Sequence, residues 1–130
     1  MSRVPGLLVM HADLGAALLR AATLLYGPLD DVDVLSNEGL SRAALELAID
    51  ERVAPWPLGG LVLTYLWGGS CHTCGSKAAR GREVIVVTGI NLPMLLDYVH
   101  NRDQFGVREL AERLLQKGQD GIRLQSGSAA

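Results

Sequence analysis

The chain has 130 residues, 48% of them apolar, with 12 Lys and Arg against 14 Asp and Glu. That length suits one domain with a single core, and near-balanced charge without a basic run or an aromatic-interleaved basic stripe excludes the electrostatic footprint of a nucleic-acid binder. No apolar stretch approaches a membrane span and Met1-Ser2-Arg3-Val4-Pro5 leads into no signal-peptide core, so a soluble, cytoplasmic protein is expected, its only cysteines, Cys71 and Cys74, reduced.

Few aromatic residues beside abundant Leu, Ala and Val predict an α/β fold, helices packed on an open, mainly parallel sheet. Gly6 to Met10 is a strand-length apolar run ending at His11. From Leu14 to Tyr26 apolar residues recur at helical spacing until Gly27-Pro28 stops them. Val32 to Leu35 is a short strand, and Ser41 caps a helix running to about Val53, with Leu45, Ala48, Ile49 and Val53 as its inner stripe. The apolar run Leu61 to Leu66, with Thr64 its one polar residue, predicts a central buried strand, and Val84 to Val87 another. Between them Gly68-Gly69-Ser70 turns into a weak helix, Cys71 to Ala79. Asn91-Leu92-Pro93 opens a helix from Met94 to about His100, and Val107 to Lys117 forms the last one, with Gly118 at its end. Gly121 to Leu124 reads as a final edge strand, and 125–130 as a disordered tail behind a domain spanning 1–124.

Right-handed β-α-β crossovers place His11, the Tyr65 to Ser70 segment and the Thr88 to Asn91 turn on one sheet edge. The carboxyl ends of strands are where ligands bind in such sheets, and the following helices present free N–H groups there. A histidine in that position suits an anion, although position alone is met equally well by an imidazole that merely fills a loop.

Leu8-Val9-Met10-His11, Trp67-Gly68-Gly69-Ser70, Val86-Val87-Thr88-Gly89-Ile90-Asn91-Leu92-Pro93-Met94-Leu95 and Gly118-Gln119-Asp120-Gly121-Ile122, in this order and spacing, resemble the IIA domain of mannose-family sugar phosphotransferase systems. The resemblance spans Gly6 to about Leu124. It implies a homodimer that often exchanges the last strand, with His11 taking a phosphoryl group from the phosphocarrier protein HPr and passing it to a IIB protein, here a separate chain. No cofactor or metal is implied. Imidazole is a competent nucleophile near neutral pH, and Gly68, Gly69 and Ser70 would supply N–H groups, with the Ser70 hydroxyl, to the phosphoryl oxygens.

Two positions depart from the family. Where its members carry a carboxylate, usually Asp, that bonds the other ring nitrogen, this chain has Tyr65, which offers only a neutral hydrogen bond. Asp13 is a substitute carboxylate or, more simply, a helix N-cap. The family's Ser-Pro is replaced by Ser70-Cys71-His72-Thr73-Cys74. Two thiols at this spacing commonly serve as small apolar residues; the sharper readings are a redox pair, or zinc held with His72 and His11. A regulatory interaction module with little phosphoryl flux is the alternative to a carrier, suggested by Tyr65. Glu46, Asp50 and Glu51 read as a solvated helix face, His100 suits a helix C-terminus, and Trp67 belongs to the site loop where a partner would meet it.

Overall fold

Strands with no polar alternation must be covered on both faces, and this chain supplies a helix after each of them. A computed structural model describes residues 3–29 and 31–128. Its elements are β1 (Gly6–Met10), α1 (Leu14–Tyr26), β2 (Asp33–Ser36), α2 (Arg42–Val53), β3 (Gly60–Leu63), α3 (Ser70–Ala79), β4 (Val84–Val87), α4 (Leu92–Asn101) and α5 (Val107–Asp120). The strands form one four-stranded parallel sheet in the order β2-β1-β3-β4. The fold is therefore the expected α/β class.

The pleat divides the core in two. Leu8, Met10, Leu61 and Leu63 pack against Ala22 of α1, Leu95 and Tyr98 of α4, and Leu110 and Leu114 of α5. Leu7, Val9 and Val62 face Leu45, Ile49 and Val53 of α2 and Cys71, Cys74 and Ala78 of α3. Local signals set several helix ends: the Ser41 side chain accepts from the Ala44 N–H, and the Asn91 side chain accepts from the Met94 N–H with Pro93 in the first turn.

Three expectations need correction. The central strand is shorter than Leu61 to Leu66, because the chain leaves the sheet after Leu63 and folds back so that the Gly69 N–H reaches the Leu66 carbonyl at 3.3 Å. Gly118 does not end the last helix, which runs to Asp120. It is buried inside α5, where a Cβ would stand 2.5 Å from Met94 Sδ, so its smallness lets α4 and α5 approach. Finally, Gly121 to Leu124 form no strand within this chain: they are exposed, with Ile122 at 77% and Leu124 at 100%. Residues 125–128 of the expected tail have no helix or strand, and 129–130 lie outside the described residues. Among the described residues no helix is long and apolar enough to cross a membrane.

Candidate functional site at the sheet switch point

From β1 the chain crosses to β2 on one side, and from β3 to β4 on the other, so the topology reverses between β1 and β3. The carboxyl ends of those two strands flank the crevice where open α/β sheets bind ligands. His11 follows β1 directly and the segment 64–69 follows β3. The Thr88 to Asn91 turn joins them, since the Ile90 N–H donates to the Thr64 carbonyl at 3.1 Å. Sheet topology thus gathers the three segments expected on one edge.

His11 is half-buried at a sharp bend. Its carbonyl accepts from the Leu14 N–H at 3.1 Å, and Ala12 adopts φ +49°, a left-handed conformation costing a non-glycine residue roughly 1–2 kcal/mol. Such strain, held by the surrounding fold, is typical of functional turns. The ring of Tyr65 meets that of His11 edge-on, with centroids 5.4 Å apart at 89°. No hydrogen bond joins the Tyr65 hydroxyl to the imidazole among the described contacts; Cys71 Sγ lies 4.0 Å from the ring's Nδ1. Asp13 takes the expected N-cap position of α1, its carbonyl accepting from the Ala17 N–H at 2.9 Å, but its side chain makes no capping bond and stays exposed.

Helix α3 points its N-terminus into the same crevice. Gly69 is its N-cap and has no side chain to satisfy the first-turn N–H groups, and Ser70 is the first helical residue. The amides expected to line the crevice divide. The Gly68 N–H is taken by His72 Nδ1 at 3.0 Å and the Gly69 N–H by the Leu66 carbonyl, whereas the Ser70 and Cys71 N–H groups have no partner among the described residues. An uncapped helix N-terminus with a hydroxyl at its first residue favours an anion by hydrogen bonding and by its dipole. Asn37 Nδ2 donates to Ser70 Oγ at 3.4 Å, while the Asn37 N–H reaches the Met10 carbonyl at 3.2 Å, tying the end of β2 to both. Sequence reasoning missed Asn37, though it follows a strand's carboxyl end and the rule that flagged His11 applies equally to it.

The cysteine-histidine block does not converge. Cys71 and Cys74 are buried free thiols, and burial pushes both upward from the ordinary thiol range, which keeps them protonated and poorly nucleophilic. Cys74 Sγ contacts the Arg42 carbonyl at 3.6 Å, and His72 turns to Gly68 and to the Trp67 ring, 4.3 Å away at 31°. Among the described residues no three potential ligands group as a metal site. Glu46 faces Lys77 at 3.9 Å and Asp50 pairs with Arg82 at 2.7 Å, as befits an exposed helix face.

These features define a doubly wound α/β domain whose switch point joins a histidine to an open helix N-terminus. No protein-family model matches the sequence. Solved structures match the fold over nearly the whole chain. Phosphotransferase system component EIIA from Streptococcus agalactiae is 25% identical, with TM-score 0.86 over 92% of this chain and 95% of that one. The mannose/sorbose-specific IIA subunit from Enterococcus faecalis is 21% identical, with TM-score 0.85 over 99% of both chains. The IIA protein associated with a fucose utilisation operon of Streptococcus pneumoniae is 22% identical, with TM-score 0.80 over 95% and 96%. The chain has the fold of the IIA proteins of mannose/sorbose-type phosphotransferase systems, as its motifs lead one to expect.

Proposed function

We propose that the chain is a IIA-type phosphocarrier in which His11 receives a phosphoryl group from HPr in the cytoplasm and gives it to a separate IIB protein. The carrying observation is the pairing of His11 with the uncapped N-terminus of α3 at the switch point of a IIA-like fold. In the first step the N–P bond of the donor's phosphohistidine breaks as a bond forms to the His11 ring; the second step repeats this in the outward direction. Nε2 is the attacking atom in this reading, because Nδ1 lies against Cys71. The Ser70 and Cys71 N–H groups and the Ser70 hydroxyl would hold the phosphoryl oxygens, with Asn37 orienting that hydroxyl. Tyr65 supports the ring edge-on without countering its charge.

A second copy of the chain is the remaining partner in this reading. It is supported by the open edge of β4, beside a groove lined by Ile85, Thr88, Arg108 and Leu115, and by the exposed Ile122 and Leu124, whose apolar side chains the monomer leaves in water.

Incubating the chain with phosphoenolpyruvate, enzyme I and HPr should label His11 with phosphoryl that IIB removes. Absence of label in the parent, or unchanged label in His11→Ala, overturns the proposal. The uncharged Tyr65 favours one competing reading, a regulatory module that binds partners without steady transfer; fast label that IIB never removes would be its signature.

A further inference from the structure

His72 does not take the zinc-ligand role that sequence suggested for it, yet it makes the best-defined side-chain contact of the site loop. Its Nδ1 accepts the Gly68 N–H at 3.0 Å, and its ring stacks on Trp67 with centroids 4.3 Å apart. Gly68 sits at φ +81° and Trp67 is 76% exposed, so the turn has little else to hold it. A nitrogen that accepts carries no proton, which fixes the neutral ring with its hydrogen on Nε2. Protonation makes both nitrogens donors and sets two N–H groups against each other at Gly68.

We propose that neutral His72 is a positioning residue for the phosphoryl-transfer site, locking the Trp67-Gly68 turn ahead of Ser70 and releasing it when protonated. This rests on the carrier reading above. The lock presents Trp67 to the phosphoryl donor and keeps the turn that leads into the open helix end in one shape.

From α2, Glu46 faces Lys77 of α3, Asp50 pairs with Arg82, and the Arg42 carbonyl contacts Cys74. At the end of β1, His11 lies against Cys71 of α3, and β4 contributes only apolar residues. Among the described contacts none of these groups hydrogen bonds or ion-pairs with His72, so its protonation acts on the turn first.

The test uses His72→Asn, whose Oδ1 branches from Cγ as Nδ1 does and accepts at any pH, and His72→Ala, which accepts at none. Hydrogen exchange at the Gly68 amide reads the lock without any transfer. The amide should be protected in the parent while the His72 ring is neutral and lose protection on acidification, stay protected throughout in His72→Asn, and be open throughout in His72→Ala. In transfer from HPr at about pH 8, His72→Ala should raise KM for HPr about 3- to 10-fold, the worth of one ordinary hydrogen bond, with a smaller effect on kcat, and His72→Asn should restore it. Equal Gly68 protection in His72→Ala and parent, or an unchanged KM in His72→Ala, overturns the proposal. If the amide pattern holds while no variant, nor the parent, accepts phosphoryl, the carrier reading fails and takes the transfer role with it, leaving a conformational lock alone.

Discussion

Replacing Tyr65 by Asp probes the position where the family resemblance implies a carboxylate. On the proposed function, a phenol edge-on to His11, with no hydrogen bond to the ring, would leave the charge that grows on the imidazole during transfer without a counter-ion. At roughly 5 Å, two unit charges attract by about 3 kcal/mol in an effective dielectric of about 20. Both residues are only half-buried, and solvent screening cuts that to about 1–2 kcal/mol, or about 10-fold in rate. Removing the phenol also costs packing, because Tyr65 rests against the core formed by α1, α4 and α5. Tyr65→Asn carries the same packing loss without charge, so the Asp-to-Asn ratio of initial phosphorylation rates by HPr isolates the electrostatic contribution. A ratio near 10 is expected, diminishing with added salt. Equal rates in two folded variants would refute the idea that a missing carboxylate limits transfer.

Other consequences concern stability and thiol chemistry. Gly59 has φ +83°, and a Cβ there would stand 1.8 Å from the Glu83 carbonyl oxygen, a backbone atom; Gly59→Ala should lose about 3 kcal/mol or more, read as a fall in Tm of about 10 °C. Tyr98 is buried, donates to the Val4 carbonyl at 2.8 Å, and has its hydroxyl pushed up from 10.0 to about 12 by burial. Since the folded state holds that proton more tightly than the unfolded chain, its contribution is complete below about pH 10 and fades as pH rises towards 12, by about 3 kcal/mol; Tyr98→Phe should flatten this slope in denaturant titrations. Cys71 and Cys74 should resist a thiol reagent in the native protein and react together on unfolding, whereas fast native labelling would contradict their burial and raised protonation range.

Much of this fold was legible because its signals are local. The apolar spacing from Leu14 stopped by Gly27-Pro28 marks α1 at both ends, and Ser41 and Asn91 announce their helices by capping chemistry that acts within three residues. Gly118 misled because its reason lies across the structure, in the Met94 side chain it must admit, while its sequence neighbourhood looks like a helix end. Ile122 and Leu124 have strand-like character, but a strand also requires pairing with an edge, and in this chain the segment pairs with none. At the site, strand-end logic located His11 and Ser70 and, applied to β2, would have located Asn37. The division of labour among Gly68, Gly69 and Ser70 was not readable, because it depends on where the His72 ring points four residues later.

Intact-mass and phosphorus NMR measurements on the chain after incubation with phosphoenolpyruvate, enzyme I and HPr read whether His11 carries phosphoryl. One added phosphoryl group is expected, acid-labile and base-stable, bonded to His11 Nε2 and absent from His11→Ala. A chain that stays unmodified while HPr itself is phosphorylated, or that carries its phosphate on another residue, would overturn the proposed carrier function.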